Sequence, residues 1–156
     1  MTMMELLAAC RRHGRDADSL ADRIEEMEAA ATSATMAVGG AGGHAGPSDK
    51  YSAYMARKDE LERRLLAARR ALAAEQMAAI LLTGELPDQQ RKAIRGYYVN
   101  GKSAAAIARD SGYSVSSVYK AMAEGKAALA ALPDSRVEEA LPGWYVAKYL
   151  YGQDDE

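Results

Sequence analysis

The feature that most constrains the fold is a spacing of small and branched side chains within SAAAIARDSGYSVSSVYKAM, residues 103–122. Ala108 is followed by Gly112 four residues later and by Val118 after six more. A methyl-sized side chain lets a second helix cross closely, and glycine accepts the positive φ of a tight turn. An aliphatic side chain then fills the gap between the two helices. Together these steric requirements predict a helix-turn-helix.

Helix start signals on either side support this prediction. Ser103 and Ser114 stand where the two short helices should begin, because a serine side chain satisfies free N–H groups of a first turn. Pro87 favours the start of a preceding support helix that we expect to run to about Val99. We expect the second helix of the pair to continue to about Leu132.

The first 84 residues indicate two long amphipathic helices. Small or apolar residues recur at steps of three and four, the pattern of helices that pack lengthwise on a partner. In the first helix, over about residues 4–35, they are Leu6, Cys10, His13, Ala17, Leu20, Ile24, Met27 and Ala31. In the second, from about Asp49 to Leu82, they are Tyr51, Tyr54, Lys58, Leu61, Leu65, Ala68 and Leu72. Residues 39–48, GGAGGHAGPS, predict a loop.

Composition favours helices throughout. The chain is 49% hydrophobic, much of it alanine, which is a strong helix former, and it has no Phe. Alternating β-branched runs, typical of strands, are missing. We therefore predict an all-α fold, with an antiparallel, coiled-coil-like helical hairpin over residues 1–84 and a three-helix helix-turn-helix domain over 85–132. Residues 133–156 are an acidic, aromatic tail that could pack on the body, bind a partner or stay loose.

The net charge of −2 is unevenly distributed along the chain. Residues 87–130 hold seven Lys or Arg and three Asp or Glu, a net charge of +4. Residues 131–156 hold two against six, a net charge of −4. A local positive field is what phosphate contact requires, so the basic segment predicts duplex DNA as the partner.

Two sets of side chains are predicted to contact DNA. The start of the second helix should enter the major groove, where hydroxyls and an ammonium can meet base edges or phosphates. These groove candidates are Ser114, Ser116, Ser117, Tyr119 and Lys120. The candidates for phosphate contact are Arg91, Lys92, Arg95, Lys102 and Arg109, and Ser103 is a further candidate for DNA contact. The alternative is a plain three-helix bundle whose charges are solvated.

The segment LPDQQRKAIRGYYVNGKSAAAIARDSGYSVSSVYKAM resembles the fourth-region domain of bacterial sigma-70-type factors, which reads the −35 promoter element. The longer layout, with Ala31-Thr32-Ser33, the glycine loop and Ser48-Asp49, resembles ArpU-type phage and prophage regulators. This resemblance implies a phage-encoded transcriptional regulator that acts on double-stranded DNA and contacts RNA polymerase. One departure is that Lys120 is the sole cation in the first two turns of the recognition helix.

Other classes of protein stay open. A small-terminase-like DNA-packaging protein also combines a helix-turn-helix with oligomerising helices, although there the DNA-binding unit usually comes first. A polymerase-binding or sigma-binding interaction protein could use the tail for its contacts. We expect a homo-oligomer, with a dimer favoured, because doubling the footprint offsets a weak monomer. The sequence gives neither the DNA site nor the direction of regulation.

Residues suited to catalysis or metal binding are few: Cys10, His13 and His44. A structural zinc site needs about four ligands, and the glycine loop lacks the GK[ST] ending of a phosphate-binding loop. We expect no enzymatic activity, no cofactor and no metal. A single cysteine, no membrane-spanning stretch of about 18 apolar residues and no signal peptide predict the cytoplasm of a bacterial host.

Overall fold

A computed structural model describes residues 1–38 and 47–153. Within these ranges the chain forms helices and no strand, which confirms the all-α prediction. The helices are α1 (Met3–Val38), α2 (Pro47–Leu82), α3 (Asp88–Ile94), α4 (Ala104–Ser111), α5 (Val115–Leu129), α6 (Asp134–Ala140) and α7 (Gly143–Tyr145). Single π-helical turns, Arg95–Val99 and Val146–Leu150, continue α3 and α7. The predicted loop lies outside the described residues from 39 to 46, and residues 47 and 48 belong to α2.

The chain divides into two compact units, and α1 and α2 each contribute to both. The hairpin unit consists of residues 16–69, and the main unit consists of residues 1–15 and 70–156. The sequence had suggested that residues 1–84 form one hairpin and that a separate domain follows. The structure instead groups the first 15 residues and the last turns of α2 with the C-terminal helices.

In the hairpin unit, α1 and α2 bury Ala17, Ile24, Leu61 and Leu65 between them. Nζ of Lys58 lies 3.0 Å from Oε1 of Glu28 in an ion pair. The hydrogen bond to this carboxylate raises the pKa of Lys58. Glu28 lies ten residues before the end of α1 and Lys58 eleven after the start of α2, so the helices run antiparallel as predicted.

The predicted apolar pattern largely matches the burial in the two helices. All eight positions named for α1 are buried or half-buried. The prediction was wrong for Tyr51, near the start of α2, whose side chain is 64% exposed. The remaining positions named for α2 are buried or half-buried.

The core of the main unit joins the beginning, middle and end of the chain. Met3 and Leu6 from α1 lie in one apolar cluster with Ile94 from α3, Val118 from α5 and Tyr145 from α7. Val137 and Leu141 are buried in the same cluster, so the C-terminal tail packs on the body rather than staying loose. The helix-turn-helix is therefore supported by segments from both ends of the chain.

The described residues form neither a membrane-spanning helix nor a cluster of metal ligands. None of the helices in residues 1–38 and 47–153 is long and apolar enough to cross a membrane. Within the same ranges, no group of three or more His, Cys, Asp or Glu residues could hold a metal ion. His44 lies outside the described residues.

Candidate nucleic-acid interface

The turn between α4 and α5 has the local geometry that the sequence predicted. Oγ of Ser103 accepts a 3.1 Å hydrogen bond from the backbone N–H of Ala106, and Oγ of Ser114 accepts one of 3.1 Å from Ser117. Gly112 ends α4 with φ of +74°, a left-handed conformation that glycine adopts without strain. Both helix starts and the turn between them are confirmed.

The packing around the turn follows the predicted steric pattern. Ala108 and Val118 are both buried. Helix α5 ends at Leu129 rather than at about Leu132. Gly125, which helix propensity marks as a weak point, lies where a Cβ atom would come within 2.7 Å of Cδ1 of Ile94. Any larger residue there would displace the side chain of Ile94, because α3 and α5 approach closely.

One side of the turn and of the first turns of α5 is exposed. We call it the recognition face, and it consists of Tyr113, Val115, Ser116, Tyr119 and Lys120. The sequence interpretation had selected polar side chains and therefore missed Tyr113 and Val115. The spacing of four residues between Val115 and Tyr119, which places both on one helix side, was the available signal.

Two of the predicted groove residues have a structural role. The hydroxyl of Ser114 caps α5 and also donates to Oγ of Ser117 at 2.8 Å. Ser117 is half-buried, whereas Ser116, Tyr119 and Lys120 are exposed. Of the five predicted groove residues, Ser116, Tyr119 and Lys120 are therefore exposed and take no part in the helix cap.

The predicted phosphate contacts differ in their internal partners. Lys102 pairs with Asp110 at 2.8 Å, and this hydrogen bond lowers the pKa of Asp110. Arg91 and Lys92 lie 2.9 and 3.0 Å from the carboxylate of Asp88. A hydrogen bond from Lys92, reinforced by Arg91, lowers the pKa of that carboxylate. Arg109 and Lys120 have no ion pair with any described residue and are exposed.

The comparison with protein families gives one match. The family described as "Sigma-70, region 4" matches residues 76–129, from the last turns of α2 to the end of α5. This segment is therefore similar to the sigma-70 region 4 family. Neither a curated protein nor a solved structure matches the chain. Region 4 is a helix-turn-helix, which supports a DNA-binding, regulator-like role and agrees with the resemblance seen in the sequence.

The region 4 match begins inside α2, and Arg95 shows how that end of α2 is attached. Its Nε donates to Oγ1 of Thr83 at 2.9 Å and its Nη2 donates to the carbonyl of Ile80 at 2.7 Å. The last carbonyls of a helix have no partner further along the helix, and the carbonyl of Ile80 accepts from both Arg95 and the hydroxyl of Thr83. Arg95 thus fastens the support helix to α2, in addition to any contact with phosphate.

Four of the basic candidates line one groove. Its volume is about 430 Å³, and its walls include Arg91, Lys92, Arg95, Lys102 and Ile107. Asp88 and Asp110 also line it, so its charge is mixed. The structure therefore groups four of the predicted phosphate contacts here, while Lys120 lies on the recognition face.

Proposed function

We propose that the chain is a transcriptional regulator that binds duplex DNA with the start of α5 in the major groove. The observation that carries this proposal is the exposure of the recognition face beside the turn of a region 4 domain. A buried face could not enter a groove. The mechanism is binding without catalysis: phosphate contacts provide affinity, and groove contacts provide register.

Arg109 and Lys120 are the first phosphate contacts under this proposal, because neither has to give up a carboxylate partner among the described residues. Lys102, Arg91 and Lys92 would exchange an exposed carboxylate for phosphate. Exposed ion pairs contribute little to stability because water screens them, so this exchange is not costly. The surplus positive charge of residues 87–130 acts in the same direction.

The resemblance of the longer layout to ArpU-type regulators supports a phage or prophage origin. It rests on Ala31-Thr32-Ser33, the glycine-rich segment and Ser48-Asp49. We propose on this basis that the regulated genes belong to a phage, with RNA polymerase of the host as a second partner. The region 4 match, a domain of sigma factors, supports a polymerase contact.

We further propose that the regulator is a dimer, formed by a second copy packing on α2. Met77, Ile80 and Leu81 form an exposed apolar stripe at helical spacing in the main unit. An antiparallel pairing of two copies of α2 centred near Met77 would bury the two stripes against each other, as a twofold interface requires.

Sedimentation of the full chain tests the oligomer. A dimer that Leu81→Lys converts to a monomer, while Ala130→Lys leaves it intact, supports the proposed interface. A ring of about eight or more subunits would favour the small-terminase alternative. A monomer that binds polymerase through the same stripe would overturn the dimer and assign this surface to the interaction-protein alternative.

Fluorescence anisotropy with the full chain tests DNA binding. Duplexes are first selected from a random pool, and the best one is titrated at 50 and 200 mM salt. We expect affinity to fall with salt, and Arg109→Ala to reduce the log–log slope by about 1. The matched control, Lys50→Ala, removes an exposed cation from the hairpin unit and should not change the slope. Absence of binding at both salt concentrations would overturn the proposed function.

A further inference from the structure

The recognition face is unusually apolar for a surface that would meet DNA. Val115 is 42% exposed and Tyr119 is 58% exposed. They lie four residues apart on α5, and side chains at this spacing are neighbours about 5–6 Å apart on one helix side. Neither belongs to the apolar core of the main unit. Their exposure is therefore unexplained by packing.

Few of the polar groups beside them can pair bidentately with a purine. Residues 113–120 contain no Arg, Asn or Gln, which leaves Lys120 as the side chain there that could pair bidentately with guanine. Ser114 and Ser117 form the cap of α5. Ser116 and Lys120 remain as polar groups, and a lysine ammonium also serves as a phosphate contact.

One base-pair edge suits an exposed valine and the side of a tyrosine ring. Thymine presents a C5-methyl group in the major groove, and apolar side chains recognise it by contact. Burying a methyl group against Val115 also removes apolar surface from water on both sides. A guanine or cytosine at the same position would offer polar groups that the side chain of Val115 cannot pair.

We infer that Val115 and Tyr119 determine specificity by contacting thymine methyl groups, so that the domain selects thymine at one or two adjacent steps of its site. This inference rests on the proposed function, since it requires α5 in the major groove. Neighbouring side chains 5–6 Å apart match base pairs one to two steps of 3.4 Å apart. Phosphate contacts by Arg109 and Lys120 would supply the affinity that this small apolar contact lacks.

Replacing thymine by deoxyuridine tests the inference, because it removes the methyl group and leaves the pairing unchanged. The duplex selected by the full chain is substituted one thymine at a time and titrated by anisotropy. We expect deoxyuridine at one or two positions to weaken binding by about fivefold. Val115→Ala or Tyr119→Ala should abolish the difference in affinity between the thymine duplex and the deoxyuridine duplex. Loss of the methyl effect in the variant would show that the side chain and the methyl group are coupled, as in a double-mutant cycle.

Ser116→Ala is the matched control, since it changes the same face without removing an apolar contact, and it should preserve the fivefold difference. Both test residues are exposed, and helicity by circular dichroism checks that each variant is folded. Salt-dependent binding with no effect of deoxyuridine at any position would overturn the inference and leave the proposed function standing. Absence of any DNA binding would overturn both.

Discussion

The hydroxyl of Tyr145 donates a 2.6 Å hydrogen bond to Oε1 of Glu75, an atom that also lies 2.6 Å from Nδ1 of His13. Glu75 is completely buried, and its Oε2 has no hydrogen-bond partner among the described residues. Burial and the hydrogen bond to Glu75 raise the pKa of Tyr145 above its ordinary value. One carboxyl group of α2 therefore holds both the C-terminal tail and the first turns of α1.

Tyr145→Phe should destabilise the protein by about 1–3 kcal/mol, because a buried carboxyl group would lose one of its two partners. The measurement is urea unfolding of the full chain. Tyr149→Phe is the matched control. Tyr149 is 41% exposed, so this variant should lose no more than about 0.5 kcal/mol of unfolding free energy. Equal stability of the two variants would show that the bond between Tyr145 and Glu75 contributes nothing.

Alanine substitution should have opposite effects at two helical glycines. At Gly125 the new Cβ would crowd Ile94, and overpacking of about 1–3 kcal/mol should exceed the gain in helix propensity of about 1 kcal/mol. At Gly14 no atom lies within 4 Å of the added Cβ, so Gly14→Ala should stabilise α1 by about 0.5–1 kcal/mol. Thermal unfolding compares the two, and stabilisation by Gly125→Ala would contradict the close approach of α3 and α5.

Cys10 should report on opening of the main unit. It is the single cysteine of the chain, it is buried, and burial, with help from the Glu75 carboxylate, raises its pKa from 9.0 to about 12. Because the unfolded thiol ionises first as pH rises past 9.0, this group favours unfolding at high pH. Alkylation in the native state should be at least about 100-fold slower than in urea. Equal rates would show that Cys10 is accessible.

Removal of residues 133–156 should prevent cooperative folding. The truncation takes away Val137, Leu141 and Tyr145, which are all buried in the main core. Each buried side chain of this size contributes about 1.5–3 kcal/mol, against a total stability of about 5–15 kcal/mol for a domain. Removal of 154–156 alone, which takes none of these side chains, is the control. Two-state urea unfolding of the longer truncation would show that the tail is dispensable.

The sequence predicted the helix-turn-helix well because its constraints are local. Ser103 and Ser114 act on N–H groups three residues away, and Gly112 acts on its own backbone dihedrals. Ala108 and Val118 lie on adjacent helices joined by a short turn. Such interactions depend on neighbours in the chain, so their spacing is visible without a structure.

The sequence could not show what supports the site, because those contacts join distant segments. The tail reaches Glu75 across 70 residues, and Arg11 donates to the carbonyl of Tyr97 across 86. Gly125 looked unfavourable within its own helix until Ile94 was placed beside it. The exposure of Val115 was equally hidden, since an apolar residue in a helix is as consistent with a core as with a binding surface.

Placement of α5 on DNA can be measured directly with a cleaving probe. An iron-chelate reagent is attached through Ser116→Cys in the full chain, since buried Cys10 should resist labelling. Bound to a selected duplex, it should cut at a few adjacent positions in each half-site of the proposed dimer. The same reagent attached through Ser135→Cys, on α6, should cut elsewhere or not at all. Scattered cutting, or the same pattern from both positions, would contradict a recognition face inserted in the major groove.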